Sequence, residues 1–436
     1  MKSILAIDVG SFKTSAIIAN QDNNTLSISG VGISKTRGVK KGAITNIDEA
    51  AKSIKQALSD AKRVAGIDIN KAIVSLSSTY TQSIKSNGIV NIPGNEVTIK
   101  EINRAIQTAL YNATIPNDYI VIQAIPYDFK VDELNEIEDP QGMSGSRLEV
   151  SLHIIIAQKS GIDNLKKTFK LAGVDIVNIV NSGYASSLAV LKEDEKELGV
   201  AVIDIGATRS DLAIYINNAL RYTDFLGVGS HHITNDLSIA VHTTISDAEY
   251  IKTNFGELIQ NNENLIEISV IGNENEKQKA SLDTIIQVIS ARVEETFLLL
   301  NKEIEKSGLK NKIGAGIVLT GGFTNFYNVK EIASQFFEGL PVRIGTPKVI
   351  KGLYENLQLP EYSTVIGLLL YGIGENNKYE KDSNQQFKSE HVFDIDSKKT
   401  EEKQIQTKEE LATITLPKSK KVNPFKKFLT WLNNLF

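Results

Sequence analysis

The chain has 436 residues and a formal net charge of −4, from 52 acidic and 48 basic side chains. This length predicts two or three domains, since a single hydrophobic core stops growing well below it. The small net charge argues against a nucleic-acid-binding protein, whose surface needs a strong excess of lysine and arginine. The absence of cysteine excludes disulfides, thiolate metal sites and a cysteine nucleophile, and it suits a reducing cytosol.

Neither a secretion signal nor a membrane-spanning segment is predicted. The N-terminus reaches Asp8 after a few apolar residues, which is shorter than the apolar core of a signal peptide. No stretch approaches the roughly 18 apolar residues that cross a bilayer. We therefore expect a cytoplasmic protein that is soluble or held at a surface by something other than a spanning helix.

The N-terminal region has the pattern of an α/β domain. An apolar run at 4–10 ends in an Asp-Gly turn, and an alternating stretch at 15–20 follows it, which is typical of a β-hairpin. A helix is predicted at 48–65 and a strand at 72–76. These elements begin a first domain at 1–198.

Residues from about 80 to 158 follow a different pattern. A helix is predicted at 100–111, with strands near 119–125 and 148–157 and a polar loop at 139–146. We interpret this region as an α+β subdomain inserted in the first domain.

A second Asp-Gly hairpin is predicted at 200–206 and 211–216, about 200 residues after the first. Such a weak repeat is typical of two related α/β domains that face one another. The second domain is assigned to 199–374 and its smaller subdomain to about 240–310. Its other predicted elements are helices at 233–240 and 247–255, a polar loop with a short strand at 261–275, a helix at 282–308 and a strand at 316–319.

The C-terminal part changes composition twice. Residues 375–416 are polar, carry mixed charges and lack periodicity, which predicts a flexible linker. Residues 417–436 become apolar again and predict a separate helix.

The first Asp-Gly turn has the residues of a phosphate site. Gly10 allows a phosphate to approach the backbone, whose successive N–H groups make an anion-binding concavity. Ser11, Lys13 and Thr14 can donate to phosphate oxygens, and Asp8 suits a water-mediated contact to Mg²⁺. Taken alone, the same turn is equally compatible with a plain hairpin that carries a surface lysine.

The second turn repeats this chemistry with Asp204, Gly206 and Thr208. Two such turns on facing domains could hold a triphosphate and its Mg²⁺ from both sides, with Asp8 and Asp204 nearest the metal. The pairing of the turns favours phosphate binding over two unrelated hairpins.

Two further segments suit an adenosine. Gly321, Gly322 and Phe323 follow an apolar strand, where glycines would let a flat base lie against the backbone. Glu249 and Lys252 are three residues apart on one helical face and could reach ribose hydroxyls or the base edge. Alone, they are equally well explained as an exposed ion pair.

Taken together, these segments resemble the phosphate, connecting and adenosine motifs of the superfamily of actin, sugar kinases and chaperone ATPases. More narrowly, the chain resembles the FtsA family of bacterial cell-division proteins over about residues 3–374 and the C-terminal helix. Gly229 opens one of the matching segments and is added to the predicted nucleotide-binding residues. The segments that carry the narrower resemblance are 229–236, 246–249, 316–323 (GIVLTGGF), 342–345 and 362–372 (YSTVIGLLLYG).

The resemblance implies an actin-like two-domain ATPase fold with an inserted α+β subdomain, a flexible linker and a C-terminal amphipathic helix. It implies ATP and Mg²⁺ as cofactors and self-association into filaments. It further implies binding of the C-terminal tail of FtsZ near residues 240–310, recruitment of other division proteins, and a place on the cytoplasmic face of the membrane at the division site.

Two departures from the superfamily pattern bear on catalysis. Ala207, Thr208 and Arg209 replace a glycine run in the second turn, which leaves less room for phosphates, although Arg209 could contribute charge. Asn181 or Ser182 stands where hydrolytic relatives often carry Gln or Glu to orient water, and neither is a general base. We therefore assign no catalytic residue and expect ATP binding with slow or negligible hydrolysis.

The C-terminal helix has two distinct faces. Asn423 is a suitable N-cap, and Lys426 and Lys427 lie on the polar face. Aromatic and leucine side chains opposite lysines are typical of a helix in the plane of an anionic membrane surface. Docking on the protein's own core or on a partner remains the alternative. The apolar arc contains Phe425, Phe428, Leu429, Trp431, Leu432, Leu435 and Phe436.

Two other functions stay open. A sugar kinase of the same superfamily would need a carboxylate base in the cleft and would leave the terminal helix unexplained. A scaffold similar to the pilus-assembly protein PilM shares the inserted subdomain but does not usually end in an amphipathic helix.

Overall fold

The computed structural model describes residues 2–387 except 23–24, 78–80, 261–263 and 353–354. The predicted terminal helix and most of the predicted linker lie outside these residues. The chain begins with β1 (Lys2–Val9), β2 (Lys13–Asp22), β3 (Thr25–Lys35), β4 (Val39–Lys40), β5 (Ala43–Ile44), α1 (Ile47–Ala65) and β6 (Lys71–Leu76).

The first predicted hairpin is confirmed, since β1 and β2 pair antiparallel from Lys2–Gln21 to Val9–Thr14. The strand β3, which pairs with β2, was not predicted from the sequence. A Cβ atom at Gly30 or Gly32 would lie 2.2 Å from the carbonyl oxygen of Ala61 or 1.9 Å from that of Ala57. The glycines that weaken the strand signal are therefore the ones that let α1 pack closely on β3.

The predicted inserted subdomain is a four-stranded antiparallel sheet in the order β7-β10-β8-β9, with α2 packed against it. A capping box formed by Thr98 and Glu101 begins α2. The α+β character is confirmed. The elements are β7 (Thr81–Asn91), α2 (Ile99–Asn112), β8 (Tyr119–Val131), β9 (Leu134–Ile137) and β10 (Arg147–Gln158).

The chain then returns to the first domain and completes its sheet in the order β11-β6-β1-β2-β3. The strands β6 and β11 run parallel to β1, on the side opposite the hairpin. The returning elements are α3 (Lys159–Leu171), β11 (Asp175–Asn181), α4 (Ser182–Val190) and α5 (Glu193–Leu198).

The second domain repeats the topology of the first. With β17 (Gly316–Thr320) and β18 (Val342–Ile344), its sheet has the order β14-β13-β12-β17-β18. Its β12 and β13 form the second predicted hairpin, and β17 and β18 run parallel to β12 and to each other. The predicted duplication is thus present in the strand order as well as in the two turns. The elements up to the smaller subdomain are β12 (Val200–Ile205), β13 (Ser210–Ile216), β14 (Ala219–Leu226) and α6 (His231–Ala240).

The smaller subdomain holds more strand than the sequence predicts. The polar region expected to be a loop with a short strand contains β15 and the start of its hairpin partner β16. The helix expected at 247–255 is divided between α7 and α8. The run of polar residues at the start of β16 (NENEKQK) masks the strand pattern. The elements here are α7 (Ile245–Thr253), α8 (Phe255–Gln260), β15 (Leu265–Val270), β16 (Asn273–Ser281) and α9 (Leu282–Lys306).

Two buried helices lie at the centre of the molecule. Every residue of α4 is buried, and Thr364 alone among the residues of α11 is partly exposed. They approach so closely that a Cβ atom at Gly367 would lie 1.7 Å from the Ala185 carbonyl oxygen. No helix in the described ranges combines the length and apolar character needed to cross a bilayer. The remaining elements are β17 (Gly316–Thr320), α10 (Val329–Ser334), β18 (Val342–Ile344), α11 (Ser363–Gly372) and single 3₁₀ turns at Lys310–Lys312, Gly322–Asn325, Glu355–Gln358 and Pro360–Tyr362.

The predicted linker start at residue 375 is wrong, because residues 375–387 pack on the folded body. Lys381 and Ala124 exchange two backbone hydrogen bonds of 2.9 and 3.0 Å along β8. The fully buried Glu380 carboxylate accepts hydrogen bonds from Gln123 and from the hydroxyls of Tyr184 and Tyr371. The polar composition of this segment predicted a linker. Its packing depends on hydrogen-bond partners on other elements, which composition does not indicate.

Candidate functional site

The two Asp-Gly turns face one another across a cleft with a cavity volume of about 360 Å³. The Thr208 hydroxyl donates to Ser11 Oγ at 2.7 Å, so the turns touch directly. The structure brings nearly all of the predicted nucleotide-binding residues to this cleft. Those that line it are Asp8, Gly10, Ser11, Lys13, Asp204, Gly206, Thr208, Glu249, Lys252, Gly321, Gly322 and Phe323.

Each of the two turns contains an equivalent backbone hydrogen bond. Gly10 N donates to Lys13 O at 3.0 Å, and Gly206 N donates to Arg209 O at 2.9 Å. A Cβ atom at Gly10 would lie 2.9 Å from that lysine carbonyl oxygen, so a larger residue would force the turn open. Both turns thus present a narrow backbone edge that an anion can approach.

Asp8 and Asp204 end the facing strands β1 and β12. Ser75 Oγ donates to Asp8 at 2.6 Å, whereas Ser186 on α4 and Thr364 on α11 donate to Asp204. Burial raises the pKa of Asp8, and burial raises the pKa of Asp204 to about 6, with the hydrogen bonds acting in the opposite direction. Neither carboxylate has a lysine or arginine partner within ion-pair distance in the described part of the chain.

Two partly buried carboxylates without an ion-pair partner fit a divalent cation. The described residues contain no cluster of three or more carboxylate or imidazole groups that could enclose a metal alone. Mg²⁺ is typically held by one or two carboxylates and completes its shell with water and phosphate oxygens. Asp8 and Asp204 therefore fit Mg²⁺ that arrives with a nucleotide.

Lys13 is positioned by residues that the sequence analysis did not place in the site. Its Nζ lies 2.5 Å from Glu361 Oε1 and 3.4 Å from the centre of the Tyr362 ring. Burial lowers the pKa of Lys13, and the Glu361 carboxylate opposes this shift. Because 348 residues separate the partners, no local sequence signal connects them.

Glu249 and Lys252 form an ion pair of 2.7 Å on α7 and also line the cleft. The Thr234 hydroxyl donates to Glu249 at 2.6 Å, and Lys252 Nζ lies 3.0 Å from the same hydroxyl. Burial lowers the pKa of Lys252. From the sequence, an ion pair and a position in the nucleotide cleft were alternative interpretations of Glu249 and Lys252. The structure shows both together.

Gly321 lies next to Asp204 in the wall of the cleft. Its backbone has φ 88° and ψ 171°, a conformation that only glycine adopts readily. A Cβ atom at this position would lie 2.3 Å from Asp204 Oδ1. Phe323 is 3 % exposed and stacks on Phe326 with ring centres 5.5 Å apart, so it forms the wall of the cleft rather than a free stacking platform.

Thr14 and Gly229 do not line the cleft. The Thr14 side chain is fully buried and shares a hydrogen bond of 2.8 Å with the Thr36 hydroxyl, so the prediction that it donates to a phosphate is corrected. Gly229 lies behind the second turn, where a Cβ atom would be 2.5 Å from Gly206 O. Its place is to support that turn.

The arginine of the second turn lies against other protein groups. Arg209 pairs with Asp211 and stacks on the Phe225 ring at 4.8 Å. With arginine in place of glycine at this position, the cleft has a volume of about 360 Å³. Burial raises the pKa of Asp211, and the guanidinium opposes this shift.

We expect Asp204→Asn to stabilise the nucleotide-free protein while weakening Mg²⁺-dependent binding. The folded-state pKa of Asp204 lies above its ordinary value of 3.8, so the carboxylate destabilises the folded state increasingly as pH rises toward 6. The amide should therefore raise the free energy of unfolding by about 1–2 kcal/mol at pH 7.5 and by much less at pH 4, after allowance for reorienting its hydroxyl partners. Urea unfolding at both pH values measures this. An equal effect at both pH values would contradict it.

Comparison with protein families gives two matches on this chain. The family model described as cell division protein FtsA matches residues 201–367. A second model, described as the SHS2 domain inserted in FtsA, matches residues 78–156, which coincide with the inserted α+β subdomain.

Curated relatives and solved structures agree with these matches. The cell division protein FtsA of Helicobacter pylori strain J99 is 37 % identical over 413 residues, covering 87 % of this chain and 84 % of the relative. FtsA of Neisseria meningitidis serogroup B is 38 % identical over 371 residues, covering 84 % and 89 %. A solved PilM–PilN type IV pilus biogenesis complex is 16 % identical, with a TM-score of 0.61 and coverage of 85 % of this chain and 98 % of that one. The predicted actin-like fold is confirmed, and the last likeness concerns the fold alone.

Proposed function

Because the chain belongs to the FtsA family of cell division proteins, we propose that it is an ATP-binding protein that tethers the FtsZ ring to the inner face of the cell membrane. Its division partners would include the C-terminal tail of FtsZ, further copies of itself in a filament, and later division proteins. The observation that carries the proposal is the convergence of both phosphate turns and the glycine turn on one cleft in a chain of this family.

ATP with Mg²⁺ is the proposed ligand of the cleft. The turns at Gly10 and Gly206 would bind the phosphates, with Lys13 as a charged donor, and Asp8 and Asp204 would bind the metal through water. The ion pair of Glu249 and Lys252 lies where the ribose and base would reach, and the Gly321–Phe323 segment would lie along the base. The positive charge of Mg²⁺ would offset the phosphate charge and favour the ionised form of these two partly buried carboxylates.

We propose that nucleotide turnover is slow. Asn181 caps α4 by accepting the Tyr184 backbone N–H at 3.0 Å, and Ser182 begins the helix. Neither side chain can act as a general base toward water. ATP would thus act as a structural and regulatory ligand. The proposal fails if the purified chain hydrolyses ATP at many turnovers per minute without a partner.

The groove between α6 and α9 is the proposed docking site for the FtsZ tail. It has a volume of about 680 Å³ and contains Ile239 and Leu298, which are 71 % and 43 % exposed. Arg292 also lines the groove and is paired with Asp236 at 2.5 Å and with Glu295. An exposed apolar strip between two helices suits the apolar face of a short amphipathic segment.

We expect Ile239→Glu to weaken binding of an FtsZ tail peptide by about tenfold or more, since it places a charge in the apolar strip. Fluorescence anisotropy with a labelled peptide measures the affinity. Val349→Glu provides a matched control, because Val349 is 80 % exposed and lies outside this groove. Equal losses in the two variants would contradict docking here.

The C-terminal helix is the proposed membrane anchor, although it lies outside the described residues. Its apolar arc includes Phe425, Phe428, Trp431 and Leu432. Each large side chain that enters the membrane contributes about 1.5–3 kcal/mol at most, and each nearby lysine about 1 kcal/mol against anionic lipid. Together these terms exceed the cost of folding a short helix.

Co-sedimentation with liposomes tests the tether. The full chain and a version that ends at Leu416 are each centrifuged with anionic vesicles in the presence of Mg·ATP. The proposal predicts that only the full chain pellets with lipid and that it then carries FtsZ into the pellet. If the full chain stays in solution, the helix serves a protein partner, and a scaffold similar to PilM or a sugar kinase becomes the better explanation.

A further inference from the structure

Residues 376–387 lie across the junction between the inserted subdomain and the first domain, and we call them the strap. They follow α11 in the chain. Their composition is polar, yet Tyr379, Glu380, Lys381, Asp382 and Phe387 are all buried. Charged side chains are seldom buried without specific partners. Tertiary contacts on other elements therefore hold the strap in place.

On one side, the strap binds the inserted subdomain. Lys381 and Ala124 exchange two backbone hydrogen bonds, so Lys381 pairs with β8 as a strand residue does. The Tyr379 hydroxyl donates to Asp139 at 2.6 Å, and its ring meets that of Phe129 edge-on with ring centres 5.8 Å apart. These contacts fix the strap along β8 and beside the loop that follows β9.

On the other side, the strap binds β11, an edge strand of the first-domain sheet. The Asn178 side chain donates to Asp382 at 2.6 Å and accepts from the Ser383 hydroxyl at 2.9 Å. The Ile179 backbone N–H donates to Ser383 Oγ at 3.0 Å. Edge strands present unpaired backbone groups, and here the strap provides partners for them.

Glu380 connects the two sides. Its carboxylate accepts a hydrogen bond of 2.8 Å from Gln123 on β8. The hydroxyls of Tyr184 on α4 and Tyr371 on α11 donate to the same carboxylate at 2.8 and 2.9 Å. The Gln123 side chain also accepts the Asn181 backbone N–H at 2.9 Å, at the end of β11. Because a buried donor that loses its acceptor is costly, removal of this carboxylate would disturb the contacts among all of these elements.

The strap is attached mainly by polar contacts. Its side chains in the apolar core of the inserted subdomain are those of Tyr379 and Phe387. Water can replace the hydrogen bonds of the other residues on release, so opening the strap costs less than exposing an apolar core. Tyr379 and Gln385 also have positive φ angles of 65° and 62°, a conformation that is unfavourable for residues other than glycine. Both features favour a segment that can open while the domains stay folded.

We propose that the strap is a releasable clamp whose docking sets the orientation of the inserted subdomain on the first domain. Docked, it holds β8 against β11 and α4 through Glu380, Lys381 and Asp382. Released, it removes these bridges and allows the inserted subdomain to turn about its chain connections. Because residue 387 leads into the C-terminal part of the chain, a pull on that part acts on the clamp before it acts on α11. The inference requires neither nucleotide nor membrane binding by the chain.

The distance between two spin labels tests whether the strap sets this orientation. The chain has no cysteine, so Val64→Cys on α1 and Tyr111→Cys on α2 introduce the two labelling sites, at side chains that are 46 % and 90 % exposed. Double electron–electron resonance on the full chain should give a narrow distance distribution. We expect Glu380→Ala to widen this distribution about twofold or to shift its maximum.

A matched control and a milder variant accompany this measurement. Glu375→Gln should leave the distribution unchanged, because Glu375 precedes the strap and pairs with Lys348 at 2.7 Å on the surface. Asp382→Asn removes the charged acceptor of Asn178 and should change the distribution in the same direction as Glu380→Ala, but less. Urea unfolding identifies the variants that fold. An unchanged distribution in a folded strap variant would overturn the proposal.

Hydrogen exchange tests whether the clamp is releasable. We expect the backbone amides of residues 379–387 to exchange at least about tenfold faster than those of β1 and β12, since they open locally. Glu380→Ala should accelerate the strap amides further and leave β1 and β12 unchanged. Exchange of the strap only through global unfolding would overturn the clamp. So would equal acceleration in β1 and β12, because it would show that the substitution destabilises the whole chain.

Discussion

Gly321→Ala is expected to lower the free energy of unfolding by about 2–4 kcal/mol and to weaken Mg·ATP binding about 10- to 100-fold. The backbone at this position has φ 88° and ψ 171°, which disfavours any side chain. The added methyl would also lie 2.3 Å from Asp204 Oδ1 and 2.6 Å from Ile205 O. The proposed metal ligand and the edge of β12 would both have to move.

Substitutions at two other glycines help to separate the backbone and steric contributions to the expected loss of stability. Gly66→Ala has a positive φ of 66° but no neighbouring atom within 4 Å, so it reports the cost of a methyl group in the left-handed helical region without a steric contact. Gly322→Ala adds a methyl whose nearest neighbour is 3.8 Å away and serves as a control for stability. Urea unfolding and calorimetric titration measure the two effects. If Gly321→Ala costs no more than Gly66→Ala and leaves ATP affinity unchanged, the contact with Asp204 has no functional role.

His153→Gln is expected to flatten the dependence of stability on pH in the acid range. His153 lies on β10 and is 1 % exposed, with its Nε2 atom 3.0 Å from the Thr223 hydroxyl on β14. Burial, with a smaller effect of Lys85, lowers the pKa of His153 from 6.5 to about 3. A neutral imidazole thus lies at the contact between the inserted subdomain and the second domain.

The direction of this pH dependence follows from the protons that His153 binds in the folded and in the unfolded chain. The unfolded chain takes up a proton on His153 as pH falls below about 6.5, whereas the folded chain does so only near pH 3. Its contribution to stability is complete above 6.5 and is lost as pH falls, by about 2–3 kcal/mol between pH 7 and 4.5. The raised pKa values of Asp8, Asp204 and Asp211 act in the opposite direction, so the comparison with the variant isolates the histidine. Parallel curves of unfolding free energy for the two proteins would contradict the prediction.

Local patterns were sufficient to predict most of the architecture. Strands and turns obey short-range rules, so the hairpins at Gly10 and Gly206 and the helix that begins after Asn46 were identifiable from neighbouring residues. The repeat of one Asp-Gly turn predicted the duplicated sheets. The turn residues that line the cleft followed from the same repeat, because equivalent turns of duplicated domains face each other.

The tertiary structure alone decided which side chains complete the site and where the folded body ends. Lys13 meets Glu361 and Tyr362, and Glu380 meets Gln123, across separations of 348 and 257 residues that no sequence period records. Thr14 looked equivalent to its neighbours, but the alternation of a strand turned its hydroxyl inward to Thr36. The polar composition of residues 375–387 predicted a linker. The burial of the Glu380 carboxylate was not predictable from composition, because its hydrogen-bond donors lie on distant parts of the chain that only the tertiary structure brings together.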